Sequence, residues 1–148
     1  MEGIPIDVRL GGTLPNVPDA PGVYVLVCRL MGATEHTLGE VLYVGLSSSL
    51  RRRVAYALGS AGAGKTVLHG VQRPLAEFQA AGGEADVLYV VVEKAEEVPG
   101  LEAALIQEHL HRAGARPAWN RTVPKTRPSP AATKLAEGIL DALNVRPR

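Results

Sequence analysis

The stretch from Pro21 to Gly45, PGVYVLVCRLMGATEHTLGEVLYVG, carries the reading of the fold. Its first part, Gly22 to Met31, is rich in valine and leucine, the composition of a buried strand. Gly32 to Gly39 is a polar turn region, and Glu40 to Gly45 returns to strand composition. Two strands joined by a short polar loop predict an antiparallel hairpin.

Downstream, Ser47 to Ser49 offer N-cap candidates for a helix through Leu50, Val54 and Leu58. Leu50, Val54, Ala57 and Leu58 share one face of it, with Arg51 and Arg52 pointing elsewhere. Gly59 to Gly64 holds too many glycines to be regular. Pro74 starts a short helix through Phe78 that ends at Gly82–Gly83. Asp86 to Glu93, DVLYVVVE, is nearly all β-branched or aromatic and is expected as the central, doubly covered strand. Glu97 to Ala113 reads as a helix with Pro99 near its start and Gly114 at its end. Pro117 to Arg121 is extended or turned, and Pro130 to Asn144 is a last helix with Leu135, Ile139, Leu140 and Leu143 on one stripe.

Upstream, residues 1–20 contain Pro5, Pro15 and Pro18 and read as an irregular lead-in. The order β-β-α-(α)-β-α-α predicts an α+β fold, a small three-stranded antiparallel sheet flanked by helices. One domain is expected over residues 21–121. The basic segment and helix of 122–148 are expected to dock on it.

The chain has 148 residues, 46% of them hydrophobic and 21% charged, which suits one soluble domain with its own core. A single cysteine, Cys28, excludes an intrachain disulfide and a thiolate-rich zinc site, and it reads as a reduced core residue. The opening MEGIPIDVRLGG carries Glu2 and Asp7 without a long apolar run, so no secretory signal is expected. No segment approaches a membrane span, and a cytoplasmic location is the default expectation.

Net charge is only +1, but it is unevenly spread. Leu46 to Ala76 carries Arg51, Arg52, Arg53, Lys65 and Arg73 with no acid. His109 to Lys134 carries Arg112, Arg116, Arg121, Lys125, Arg127 and Lys134, again with no acid. Between them Glu84 to Glu102 holds six carboxylates and one lysine. The basic stretches form a phosphate-facing surface if the fold brings them together, and are equally readable as solvated faces.

Five short pieces follow one another in order: Pro21-Gly22-Val23-Tyr24, Leu42-Tyr43-Val44-Gly45, Arg53 on the next helix, Glu102 before Ala103-Ala104-Leu105-Ile106, and Asn120 after Trp119. This order and spacing resembles the GIY-YIG nuclease family, named for its first two motifs. The resemblance spans Pro21 to Asn120, about two-thirds of the chain. It implies a metal-dependent endonuclease acting on nucleic acid, DNA above all, and leaving 5′-phosphate ends. The site residues it implies are Tyr24, Tyr43, Arg53, Glu102 and Asn120.

The chemistry fits these residue types. Adjacent antiparallel strands can bring Tyr24 and Tyr43 to one face. A phenol is a poor base at neutral pH unless a nearby cation favours the phenolate. The resemblance makes Tyr24 the general base and Tyr43 its hydrogen-bonding neighbour. Arg53, a permanent cation with a planar fork, is expected to stabilise charge building on the phosphorus centre. Glu102 is expected to hold Mg²⁺ or Mn²⁺, a hard cation that keeps several waters and needs few protein ligands. Asn120 either orients substrate or fixes its loop.

Arg51, Arg52, Arg73, Arg116 and Arg121 are expected as nucleic-acid contacts, and Tyr56, Lys65 and His69 as auxiliaries. Many family members carry a histidine or tyrosine four positions after the helical arginine. Here Ala57 holds that position, and Tyr56 lies three after Arg53. The gap from Glu102 to Asn120 is also longer than in compact repair members. His109 and His111 are further candidates for phosphate or proton handling.

A competing motif spans Gly59 to Thr66, GSAGAGKT, which matches the P-loop pattern in full. That architecture needs a strand before the motif and a sustained helix after it. The preceding residues read as a basic helix, and Gly70 and Pro74 interrupt any long helix after it. Because DVLYVVVE can pose as the acidic-ended second strand, a P-loop nucleotide-binding protein nonetheless stays open as an alternative. So does a GIY-YIG fold that binds nucleic acid without cutting. No attached specificity module is visible, so a protein partner is a candidate source of specificity.

Overall fold

The computed structural model describes residues 8–9, 17–29, 38–57, 72–143 and 145. The fold is α+β, an antiparallel sheet covered by helices on both faces. Three long strands make most of the sheet: β2 (Gly22–Arg29), β3 (Leu38–Ser47) and β4 (Glu84–Val91). A two-residue strand, β1 (Val8–Arg9), pairs with the outer edge of β4, so the order is β1-β4-β2-β3. This fourth strand falls inside the expected irregular lead-in.

β4 is an interior strand covered on both faces, as expected, but among the three long strands it is β2 that lies in the middle. Side chains alternate between the two faces along β2. Val23, Val25 and Val27 are buried on one face and Tyr24 and Leu26 on the other, so both faces need cover. β4 itself starts and ends two residues earlier than expected.

The valine face packs against α3 (Val98–Ala113) and α4 (Pro130–Ala142), chiefly through Leu101, Leu105, Ile139 and Leu140. The tyrosine face packs against α1 (Leu50–Ala57) and α2 (Gln72–Ala80) through Leu50 and Leu75. β3 shifts register against β2 between Leu26 and Val27, since Leu26 pairs with Tyr43 but Val27 with Val41. The extra residue, Leu42, is a β-bulge. It leaves Tyr43 on the tyrosine face and returns Val41 to the valine face.

Local chemistry sets the helix ends. At α1, the Ser49 hydroxyl accepts from the Arg52 amide at 3.3 Å, so Ser49 is the cap among the three serines. Two further free amides of this first turn are satisfied from upstream, Leu50 N–H by the Ala20 carbonyl and Arg51 N–H by that of Pro18. α3 follows a 3₁₀ turn (Ala95–Glu97) and stops at Gly114, whose φ of 79° suits glycine. Ser129 caps α4, accepting from the Ala132 amide at 3.1 Å.

Arg112 belongs to this packing and not to a phosphate-facing surface. Only 6% exposed, its guanidinium joins Glu108 on its own helix at 3.0 Å and Asp141 on α4 at 2.7 Å. It also donates to the Val145 carbonyl at 2.8 Å. The pairing is needed because a buried guanidinium is costly unless its N–H groups are satisfied. Replacing Leu140, 1% exposed in the same seam, by alanine is expected to lower stability by about 2–5 kcal/mol in urea denaturation.

Candidate functional site

Tyr24 lies opposite Gly45 across the β2–β3 pair, and its ring covers the glycine. A Cβ at Gly45 would come within 2.5 Å of the Tyr24 ring, so this position has room for glycine alone. Tyr43 sits one pair further along on the same face, with ring centroids 5.9 Å apart and planes tilted by 45°. A hydrogen-bonding contact between the two phenols raises the Tyr24 hydroxyl and eases ionisation of Tyr43.

Their settings differ. Tyr24 is 1% exposed, and burial, reinforced by the Tyr43 phenol, pushes its hydroxyl far above the usual tyrosine range. Tyr43 is half-buried and lines an open cleft. Burial and then the Glu102 charge raise its hydroxyl, while Arg53 and the bond from Tyr24 pull it down.

Arg53 comes from α1 and is partly exposed, near enough for its charge to act on both phenols. Glu102 comes from α3, on the opposite face of the sheet. It approaches the phenols where a cleft of about 330 Å³ opens beside β3. Tyr43, Glu102, Ile106, Trp119, Arg121 and Thr122 line this cleft. Arg53 and Glu102 thus each act electrostatically on both phenols.

Asn120, the fifth, lines the same cleft but has another task. Its side-chain carbonyl accepts from Val44 N–H and its amide donates to the Val44 carbonyl, both at 2.9 Å. It acts as a one-residue strand on the outer edge of β3, and Trp119 N–H extends the pairing to the Leu42 carbonyl at 2.8 Å. The amide fixes the loop.

No family model, curated protein or solved structure matches the chain.

The expected nucleic-acid contacts divide by what their side chains already hold. Arg121 is exposed and lines the cleft. Arg52 is exposed on α1. Arg51 donates to the Val17 carbonyl at 2.8 Å, and Arg116 donates to the Asn120 carbonyl, so both brace the backbone beside the site. Arg73 pairs with Glu77 at 3.2 Å on exposed α2, a contact worth little. His109 is buried against the Ala115 carbonyl at 2.7 Å, while His111 is exposed. Lys65, His69 and the whole Gly59–Thr66 motif lie outside the described residues, as does the side chain of Tyr56. The residues before that motif, Leu50–Ala57, form a helix where the P-loop architecture needs a strand.

Trp119, Thr122 and Pro124 also line the cleft, and sequence reasoning gave none of them a role of its own. The signal was there for Trp119, the single tryptophan of the chain, immediately before the asparagine.

Among the described residues no three His, Cys, Asp or Glu side chains gather into a metal cluster, and Glu102 forms no salt bridge. Burial pushes its carboxyl above the usual carboxylate range. A half-buried carboxylate that pairs with no cation among the described residues fits a divalent ion that takes its other ligands from water and substrate.

Two outcomes follow from this geometry. Asn120→Ala leaves the Val44 amide and carbonyl unpaired, and is expected to cost about 2–4 kcal/mol in thermal or urea denaturation. A purely catalytic asparagine would leave stability unchanged. For Glu102, the raised folded pKa means that the folded state keeps its proton to higher pH than the unfolded chain. Stability is therefore lost as pH rises from the usual carboxylate range through the raised value. Glu102→Gln is expected to melt above wild type at neutral pH, with the gap closing in acid below the usual carboxylate range.

Proposed function

We propose that the chain is a metal-dependent phosphodiester hydrolase of the GIY-YIG type, acting on nucleic acid and most naturally on DNA. The observation that carries this reading is that Tyr24, Arg53 and Glu102, from three separate elements, all act on Tyr43, which lines the cleft together with Glu102. Phosphodiester hydrolysis requires a group to take a proton from water, a cation for the charge growing on phosphorus, and help for the leaving oxygen.

In this reading Tyr43, at the cleft wall, receives the proton of the attacking water. Tyr24 is sealed behind it and donates the hydrogen bond that steadies the Tyr43 phenolate. This reverses the roles implied by the motif order, because Tyr24 has almost no surface left to meet water. Arg53 favours the phenolate and faces the negative charge of the phosphate. Glu102 would hold Mg²⁺ or Mn²⁺, which when bound polarises the phosphate and stabilises the departing 3′ oxygen. Arg121 contacts an adjacent phosphate of the strand. Because both phenols are pushed above their usual range, cleavage rises with pH through neutrality into the alkaline region.

The test is cleavage of supercoiled, linear, branched and single-stranded substrates with Mg²⁺ or Mn²⁺. Wild type is expected to cut at least one of them. Glu102→Ala and Arg53→Ala are each expected to lose about 10²- to 10³-fold in kcat. Tyr43→Phe is expected to lose more than Tyr24→Phe. Intact substrates throughout, with Glu102→Ala indistinguishable from wild type, would end the reading.

A further inference from the structure

The lining of the cleft around Glu102 is not built for phosphate alone. Trp119 is half-buried beside it, with Pro124 and Ile106 supplying apolar surface and Arg121 and Thr122 supplying donors. The indole is fixed in place before any ligand arrives. It makes an edge-on contact with Phe78, with centroids 5.9 Å apart and planes at 76°. Its own amide is bonded to Leu42, and the next residue is pinned to Val44 by two hydrogen bonds. A preorganised aromatic surface binds a flat partner with little further loss of freedom. At about 330 Å³ the cleft is near the small end of ligand pockets, on the scale of a single nucleotide.

We propose that this cleft seats one unpaired nucleobase against Trp119, so that the phosphodiester presented to Glu102 and Tyr43 belongs to a single-stranded nucleotide. The inference rests on the hydrolase reading and adds its substrate class. In a duplex the bases are stacked on one another, and only the backbone could reach the cleft, leaving the indole without a partner. An unpaired nucleotide uses the whole wall: base on Trp119, phosphate toward Arg121, scissile bond toward the carboxylate. Aromatic stacking accepts every base, so little sequence preference is expected.

Because Trp119 is the one tryptophan, its fluorescence reports on this wall alone. Wild-type protein with Ca²⁺ in place of Mg²⁺ would be titrated with a single-stranded oligonucleotide, a blunt hairpin duplex of the same sequence, and inorganic phosphate. Saturable quenching by the single strand is expected, with no change on adding the duplex or phosphate. Binding of a labelled single strand, followed by anisotropy, is expected to weaken about tenfold or more in Trp119→Leu and to be largely kept in Trp119→Phe. Equal quenching by blunt duplex, or single-strand binding without quenching, would overturn the stacking role. In those cases Glu102-dependent cleavage would leave the hydrolase reading standing. Should no nucleic acid bind or be cut, both fall together. Should Trp119→Leu not fold, the wild-type titration still decides.

Discussion

The site depends on two hydrogen bonds between the Asn120 side chain and the backbone of Val44. With the bond from Trp119 N–H to the Leu42 carbonyl, they fasten the segment after α3 to the outer edge of the sheet, where it lines the cleft. The bonds join positions 76 residues apart, and they carry Trp119, Arg121 and Thr122 to a strand whose own tyrosine faces the same space. Around this junction the backbone is further braced by Arg116 on the Asn120 carbonyl. Gln107 holds the carbonyls of Pro124 and Thr126 at 2.8 and 2.7 Å. Several polar side chains near the cleft are thus committed to holding the loop, which leaves Glu102, Tyr43 and Arg121 to act.

The two tyrosines show how one strand pair makes two unlike phenols. Both face the same side of the sheet, yet Tyr24 is on the central strand and Tyr43 on the outer one. Position within the sheet decides exposure, and exposure decides which hydroxyl meets water. Gly45 makes this arrangement possible, because it lets the inner ring lie flat across the neighbouring strand.

Much of this was legible from residue order. Strand periodicity predicts that Tyr24 and Tyr43 share a face, and helix signals locate Arg53 and Glu102 on their elements. The ends of α3 follow from Pro99 and Gly114 as expected. What stayed hidden was long-range pairing. Nothing in the local sequence distinguishes Arg112, which is buried between two helices, from Arg121, which is open to solvent. The same holds for Asn120, whose partner is a backbone far along the chain. The pair Val8–Arg9 is too short to show any periodicity, and the Leu42 bulge inserts a residue that pattern alone does not reveal. Both β4 and β2 are interior to the four-stranded sheet with buried side chains on both faces, so composition alone does not say which lies between the other two long strands.

The pairing at Val44 also bears on how molecules of this protein meet one another. An outer strand with unpaired N–H and C=O groups is a template onto which another chain can add, the first step toward aggregates. Here Leu42 and Val44 turn those groups toward their own polypeptide, and the asparagine stands where an intruding strand would begin. The residue that shapes the cleft therefore also keeps this rim of the sheet from recruiting a neighbour.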